Sequence, residues 1–375
     1  MPDMSDLHLH MVSFDIPYPA NYGGIIDVFY KAKALTEKGV KVHLHCFEYG
    51  RKKPDILKKL FYEVRYYKRD VSKKHLFKSQ PYIIETRISE ELVKNLLKDH
   101  YPILMEGLHT TALLREPRLK NRKRMVRTHN IEHDYYLHLS KVETDLFKKY
   151  YFYNESIKLK KYESVLSEAD LILPLSQTDY SYFSARYKRV VYLPAFHPYK
   201  AVKSKTGKGD YVLYHGNLSV PENINAATRL LKEVFYRSPV PFKIAGLRPP
   251  ASLVRLAATN PSVELIASPS DEKLQQLIAD AHIHLFFTDQ ATGLKLKLLN
   301  ALYNGRFVLT NDKMLSGSQL QPICVIRNSM TEIKQTVGRL MQEKFTAALK
   351  ADRQIHLQNW YANGDNVEKL IDLMI

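Results

Sequence analysis

At 375 residues, 45 % hydrophobic and 25 % charged, the chain has the make-up of a globular protein and is too long for one ordinary core, which points to two domains. Its two cysteines, Cys46 and Cys324, exclude a disulfide framework and set a reducing compartment as the expectation. No run approaches ~18 consecutive apolar residues, so no membrane-spanning helix is expected. The formal charge of +17 calls for an acidic partner, whether nucleic acid, anionic lipid or a phosphorylated small molecule.

The opening MPDMSDLHLHMVSFDIP lacks the basic flank and apolar run of a secretion signal, and residues 7–16 read as a strand. Residues 23–39 read as a helix closed by Gly39, and 40–47 as the next strand. The stretch 51–78 holds eleven Lys/Arg against three Asp/Glu with aromatics between them. It suits either a solvated helical face or a patch resting on anionic headgroups. Strand and helix pairs follow: YIIETR then SEELVKNLLKDH, and PILMEG then LHTTALLRE. After these come the strand RMVRTHN, a helical tract over about 140–169, and late strands at 170–176 and 189–195. Strand and helix in regular succession predict a parallel sheet wrapped on both faces.

A Lys, Gly and Ser-rich stretch without periodicity, 197–210, reads as a linker. The alternation then restarts with YVLYHGN and runs through FKIAG, SVELIA, HIHLFFT and RFVLTN, each followed or separated by helical segments. The expected organisation is therefore a doubly wound domain over 1–196, a second over 211–355, and a terminal helix within 356–375 that packs back on the first domain through Trp360. Two such domains are expected to face each other across a cleft.

In open parallel sheets, ligands bind beyond the carboxyl ends of the strands. That rule selects six loops. Gly23 and Gly24 open a helix with free amides, as a phosphate site requires, although adjacent glycines also suit a plain tight turn. They are not the spaced three-glycine dinucleotide fingerprint. His109 follows the strand PILMEG. Arg127, His129, Asn130, Glu132 and His133 crowd the next strand end, in a spacing that matches no zinc motif, so no metal is assigned. Gly216 and Asn217 end the first strand of the second domain, and Gly246 ends the second. Last, TGLKLKLLNALYNGRFVLTND (292–312) presents the amides of Gly293, Leu294 and Lys295 at a helix start. Lys297, Asn300 and Asn304 form a polar stripe on that helix.

Over most of its length the chain resembles the GT-B glycosyltransferases of family 4, which use nucleotide-diphosphate sugars with retention. The likeness is strongest in RTHNIEHDYY, KLKKYESVLSEADLILPLSQTDYSYF, LYHGNLSVPENINA and TGLKLKLLNALYNGRFVL. Aligning Ala301, Leu302 and Gly305 with the donor motif places Thr292 and Asn300 at its two glutamates, so both acids are replaced. The resemblance implies that Gly23 and Gly24 contact the donor phosphate, that His109 lies near the transferred sugar, and that Gly216 belongs to the second-domain phosphate loop. The Arg and Lys usual after that loop are absent, Asn217 and Asn223 standing there instead. Lys295 or Lys297 is the candidate for the missing positive charge. Gly246 is assigned to the nucleoside, and His129, Asn130 and Glu132 to the acceptor.

The implied activity is transfer of a hexosyl or N-acetylhexosaminyl group from a UDP- or GDP-linked donor to a glycan or lipid-linked acceptor in cell-surface polysaccharide synthesis. No cofactor is required. The expected location is cytoplasmic, peripheral on the inner membrane face through 51–78, and no nucleic acid is expected. The lost glutamates leave a second reading, a catalytically silent relative that binds sugar nucleotide or a partner enzyme. An epimerase on this fold would carry more carboxylates in its cleft.

Overall fold

The computed structural model describes residues 6–143, 145–289 and 296–375. The chain divides into two compact units, Met1–Pro198 with Tyr361–Ile375, and Tyr199–Trp360.

In the first unit the described strands are β1 (His8–Ser13), β2 (Lys41–Glu48), β3 (Glu63–Lys68), β4 (Ile103–Glu106), β5 (Arg124–Thr128) and β6 (Leu171–Pro174). They form one sheet in the order β3-β2-β1-β4-β5-β6, every pairing parallel. Val12 of β1 lies opposite His45 on one side and Met105 on the other. Strands covered on both faces read as continuous apolar runs, and β4 and β5 are buried along their whole length. The helix Gly23–Glu37 buries Ile25, Val28, Phe29, Ala32 and Leu35 against the sheet. The helix Asn363–Met374 joins the same cluster through Val367, Leu370, Ile371 and Met374. Trp360 is 40 % exposed, so the terminal helix returns by its own apolar stripe rather than by that ring.

The second unit repeats the plan with β7 (Val212–Asn217), β8 (Phe242–Leu247), β9 (Val263–Ala267), β10 (Ile283–Leu285), β11 (Phe307–Thr310) and β12 (Val325–Ile326), ordered β12-β11-β10-β7-β8-β9 and again parallel. Both sheets reverse direction of growth at their first strand, between β1 and β4 and between β7 and β10. Loops leaving those strands are where such a sheet opens a crevice.

Three local expectations fail for physical reasons. YIIETR is a short helix, Tyr82–Glu85, started by Pro81 and held by Glu155, whose carboxylate accepts from Tyr82 N. The strand of that region is β3, hidden inside the basic stretch because it lies at the sheet edge, where Arg65 pairs with Glu63 and Lys68 is exposed. Residues 189–195 run beside β6 without forming a full strand: Val190 bridges Ile172, the amides of Val191 and Leu193 donate to the carbonyls of Ile172 and Pro174 at 2.9 and 3.1 Å, and the pairing stops at Pro194, which has no N–H to give. The tract 140–169 is likewise broken, into Glu132–Val142, Leu146–Tyr162 and a 3-10 turn at Glu163–Glu168.

One face of the first sheet carries a row of imidazoles that the alternation LHLH and HLHC dictates. His8 meets His43 and His10 meets His45, each pair at 2.8 Å, while Asp99 holds the far nitrogen of His10 at 2.9 Å. Burial pulls His10 down to about 4 against the pull of Asp99.

Candidate functional site

The carboxyl end of the first sheet gathers side chains from the loops after β1, β4 and β5. Phe14, just past β1, stacks on His109 at 5.0 Å between ring centres and meets His129 edge-on at 5.5 Å. Gly24 lies against the same ring: a Cβ there would stand 2.9 Å from Phe14 Cζ and 3.3 Å from His129 Nδ1. A side chain is thus excluded at Gly24 by packing, whereas at Gly23 the space beyond the backbone is open. Gly24, His109 and His129 therefore come together around Phe14, and Gly23 faces outward from them.

His109 follows Gly107, whose φ of 68° turns the chain out of β4. Its Nδ1 is buried with no hydrogen-bond partner among the described residues. Burial, then the positive charge of Arg87, holds the imidazole well below its usual range, so it is neutral near pH 7. A neutral imidazole with an unengaged nitrogen can accept from, or donate to, a hydroxyl. Arg87 is itself buried and donates to the carbonyls of Phe14 at 2.9 Å and Ile83 at 2.7 Å.

Beneath these rings lies a charge network that sequence reasoning missed. Asp27 and Lys31, one turn apart in the helix Gly23–Glu37, are fully buried with Glu106 and Arg127. Lys31 Nζ donates to Asp27 Oδ2 at 2.8 Å and to Glu106 Oε2 at 3.0 Å, with Glu106 Oε1 at 2.9 Å. Arg127 binds Asp27 through two nitrogens, at 2.8 and 3.0 Å. The Phe196 amide donates to the same carboxylate at 2.9 Å, and Arg127 also donates to the Pro194 carbonyl at 3.1 Å. Burial alone would raise Asp27, but Arg127 and Lys31 outweigh it and hold the carboxyl far below the usual range. His129 Nε2 completes the set at 3.0 Å from Glu106 Oε2. Asp27, Glu106 and His129 lie close enough together to suggest a metal. Lys31 supplies the cation of that cluster, and two carboxylates balance two basic groups. The signal was present: Asp27 and Lys31 interrupt the buried stripe of an otherwise apolar helix at the spacing of an ion pair.

Asn130 and Glu132 form a second group, after β5. Glu132 is buried, bonded by the Asn130 side chain, and pushed up to about 8 by burial against that bond, with Asp179 adding to the rise. Asp179, buried after β6, is pushed up to about 7 for the same first reason, and its Oδ2 has no hydrogen-bond partner among the described residues. Glu132 therefore keeps its proton at neutral pH and can donate a hydrogen bond, unlike an ordinary carboxylate, while Asp179 titrates near neutrality.

In the second unit, Gly216, Asn217 and Gly246 meet at the ends of β7 and β8, Gly216 lying opposite Gly246 in the ladder. A Cβ on Gly246 would fall 2.0 Å from the Gly216 carbonyl, so backbone occupies the space a side chain needs. Asn223, from the helix Pro221–Arg229, covers Gly216 and donates to the Asn217 carbonyl at 2.9 Å. Lys297 Nζ then donates to Asn223 Oδ1 at 3.0 Å, above the rings of Tyr214 and Phe286. Lys297 thus brings a positive charge to the glycine loop. Asn300, on the helix Leu296–Asn304, accepts from the Asn304 amide at 2.9 Å. Thr292, Gly293, Leu294 and Lys295 lie outside the described residues.

No protein-family model matches the chain. An uncharacterised 44.6 kDa protein from the cps region of Klebsiella pneumoniae is 28 % identical over 322 residues, spanning 80 % of this chain and 81 % of its own. Among solved structures, Anabaena Alr3699/HepE in complex with UDP and glucose superposes with a TM-score of 0.68 at 10 % identity, covering 98 % of this chain and 99 % of its own. A glycosyltransferase from Rickettsia africae gives 0.65 at 11 % identity over 98 % of each chain. At such identities the likeness is one of fold, and the fold is GT-B: two α/β units, each on a six-stranded parallel sheet.

Proposed function

We propose that the chain is a retaining GT-B glycosyltransferase of the family 4 type, moving a hexosyl or N-acetylhexosaminyl group from a UDP- or GDP-linked donor to a glycan or lipid-linked acceptor in cell-surface polysaccharide synthesis. The observation that carries the reading is the GT-B fold over 98 % of the chain, shared with a protein whose structure holds UDP and glucose. The relative from a cps region supports the polysaccharide context.

The chemistry asks for little beyond what the two units offer. When the bond from the sugar to the diphosphate breaks, negative charge grows on the departing phosphate, and preorganised amides and cations stabilise it. Lys297 and the glycine loop at Gly216 are the groups proposed for that task in the second unit. In the first, the amides opening the helix at Gly23 and Gly24 do the same, and the neutral His109 holds a hydroxyl of the transferred sugar. Asn130 and the protonated Glu132 suit an acceptor hydroxyl. The turn at Gly246, a glycine because the Gly216 carbonyl presses on it, is proposed to lie beside the nucleoside, and Thr292 and Asn300 stand where the family has its glutamates.

Isothermal titration of the full chain with UDP and GDP tests the donor site; micromolar to millimolar binding is expected, and silence with both refutes the assignment. Nucleotide release with a donor panel and lipid-linked acceptors then tests transfer. A second reading, a silent sugar-nucleotide or partner-binding protein, is favoured by Asn300, which has one acceptor oxygen where a carboxylate has two, and that oxygen already accepts from Asn304. Binding without release under every donor would select it.

A further inference from the structure

The helix Leu146–Tyr162 turns its apolar side both ways. One face, with Glu155, Ser156, Leu159 and Tyr162, is buried. The opposite face carries Leu146, Tyr150, Tyr153 and Ile157 at spacings of four, three and four, and Phe147 beside them. Leu146 is 80 % exposed, Phe147 90 % and Tyr150 71 %. A surface helix normally shows water its polar side, so an apolar stripe on the outer face needs an occupant. Lysines frame this one: Lys149 near its start, Lys160 and Lys161 near its end, all exposed. Lys158 Nζ donates to the Leu76 carbonyl at 2.9 Å and so brings the turn Lys73–Phe77, with Phe77 90 % exposed, against the same helix.

We propose that the outer face of the helix Leu146–Tyr162, with the adjoining Phe77, docks the chain on a bilayer rich in anionic phospholipid. An apolar stripe of Leu, Ile and aromatic residues flanked by lysines is the pattern of a helix lying in the plane of a lipid interface, its apolar face in the acyl boundary and its cations among the headgroups. A second copy of the chain fits less well. A two-fold contact through this face would set the lysines at its two ends, Lys149, Lys160 and Lys161, against lysines of the copy, in a molecule already at +17. Nucleic acid would use the rings and the charge but has no use for Leu146 and Ile157. The proposal adds apolar anchors to the basic stretch 51–78, of which Lys74 and Lys78 are partly neutralised by Asp70 and Glu85. It stands apart from the donor chemistry proposed above.

The test is flotation of the full chain with vesicles of phosphatidylcholine alone or mixed with phosphatidylglycerol. Binding is expected to the mixed vesicles only and to weaken as salt rises. The pair Leu146→Ser and Phe147→Ser should weaken it by roughly tenfold or more, with the circular dichroism spectrum unchanged. The pair Lys149→Glu and Lys160→Glu should weaken it by a similar factor and flatten the salt dependence. Phe147→Trp in a Trp360→Phe background should shift its emission to the blue on mixed vesicles. Three results would each overturn the proposal: serine variants that float like the parent, an emission maximum that vesicles do not move, or a dimer in sedimentation that the serine pair dissolves.

Discussion

Replacing Lys31 by methionine isolates the buried network of the first unit. The substitution keeps the length of the stem and removes only the charge and its donors. Asp27 retains two bonds from Arg127 at 2.8 and 3.0 Å and the Phe196 amide at 2.9 Å, so it stays paired. Glu106 does not: both its oxygens lose an ammonium at 2.9 to 3.0 Å, and His129 alone remains on Oε2. Lys31 and Glu106 are fully buried, so water cannot make good the loss. Removing one side of a buried ion pair costs about 3–5 kcal/mol. The helix Gly23–Glu37 should then open more often by a factor between about a hundred and a few thousand, read as lost amide exchange protection in its peptides. Adding Glu106→Gln removes the stranded charge and should return most of the loss, leaving the double variant within about 2 kcal/mol of the parent. A loss of protection below tenfold, or a double variant worse than the sum of its parts, would refute the account of the network.

Three further outcomes follow from the geometry. Gly246→Ala forces a Cβ to 2.0 Å from the Gly216 carbonyl and should destabilise the second unit by about 3 kcal/mol or more in a thermal melt, while Gly23→Ala, with open space beyond it, should leave melting nearly unchanged. Any loss of nucleotide binding in Gly23→Ala is then an effect on the ligand. Lys297→Met should weaken UDP or GDP binding by roughly 10- to 100-fold in titration calorimetry, the worth of one charge-assisted contact; equal affinity would release Lys297 from the donor site. Glu132, raised to about 8 in the fold from about 4.5, keeps its proton when the unfolded chain has lost it. The fold therefore loses up to about 1.4 kcal/mol per pH unit from this group as pH rises from about 4.5 to 8. Glu132→Gln should flatten that decline, seen as melting temperatures that match the parent near pH 4.5 and exceed it at pH 8.

Much of the architecture was legible because its signal is local. Alternating strand and helix segments recur every few tens of residues, and a right-handed crossover leaves parallel sheets as the outcome. The loops singled out by the strand-end rule do hold Gly24, His109 and His129 together at the carboxyl end of the first sheet, and Gly216 and Gly246 at that of the second, where Lys297 reaches them through Asn223. Strand β3 was hidden because a basic edge strand looks like a solvated helix. YIIETR misled in the opposite direction, its β-branched pair packing inside a helix started by proline.

The sequence by itself determined the doubly wound class, the two repeats of it and the glycine-bearing turns at the strand ends, since all three follow from hydrophobic period and the placement of glycine. Only the tertiary structure decided that Lys31 fills the space between Asp27, Glu106 and His129, that Lys297 reaches the glycine loop through Asn223, and that Leu146, Phe147 and Tyr150 stay in the open. Those facts depend on which residues far apart in the chain become neighbours, and on which apolar side chains find none. Local periodicity carries neither.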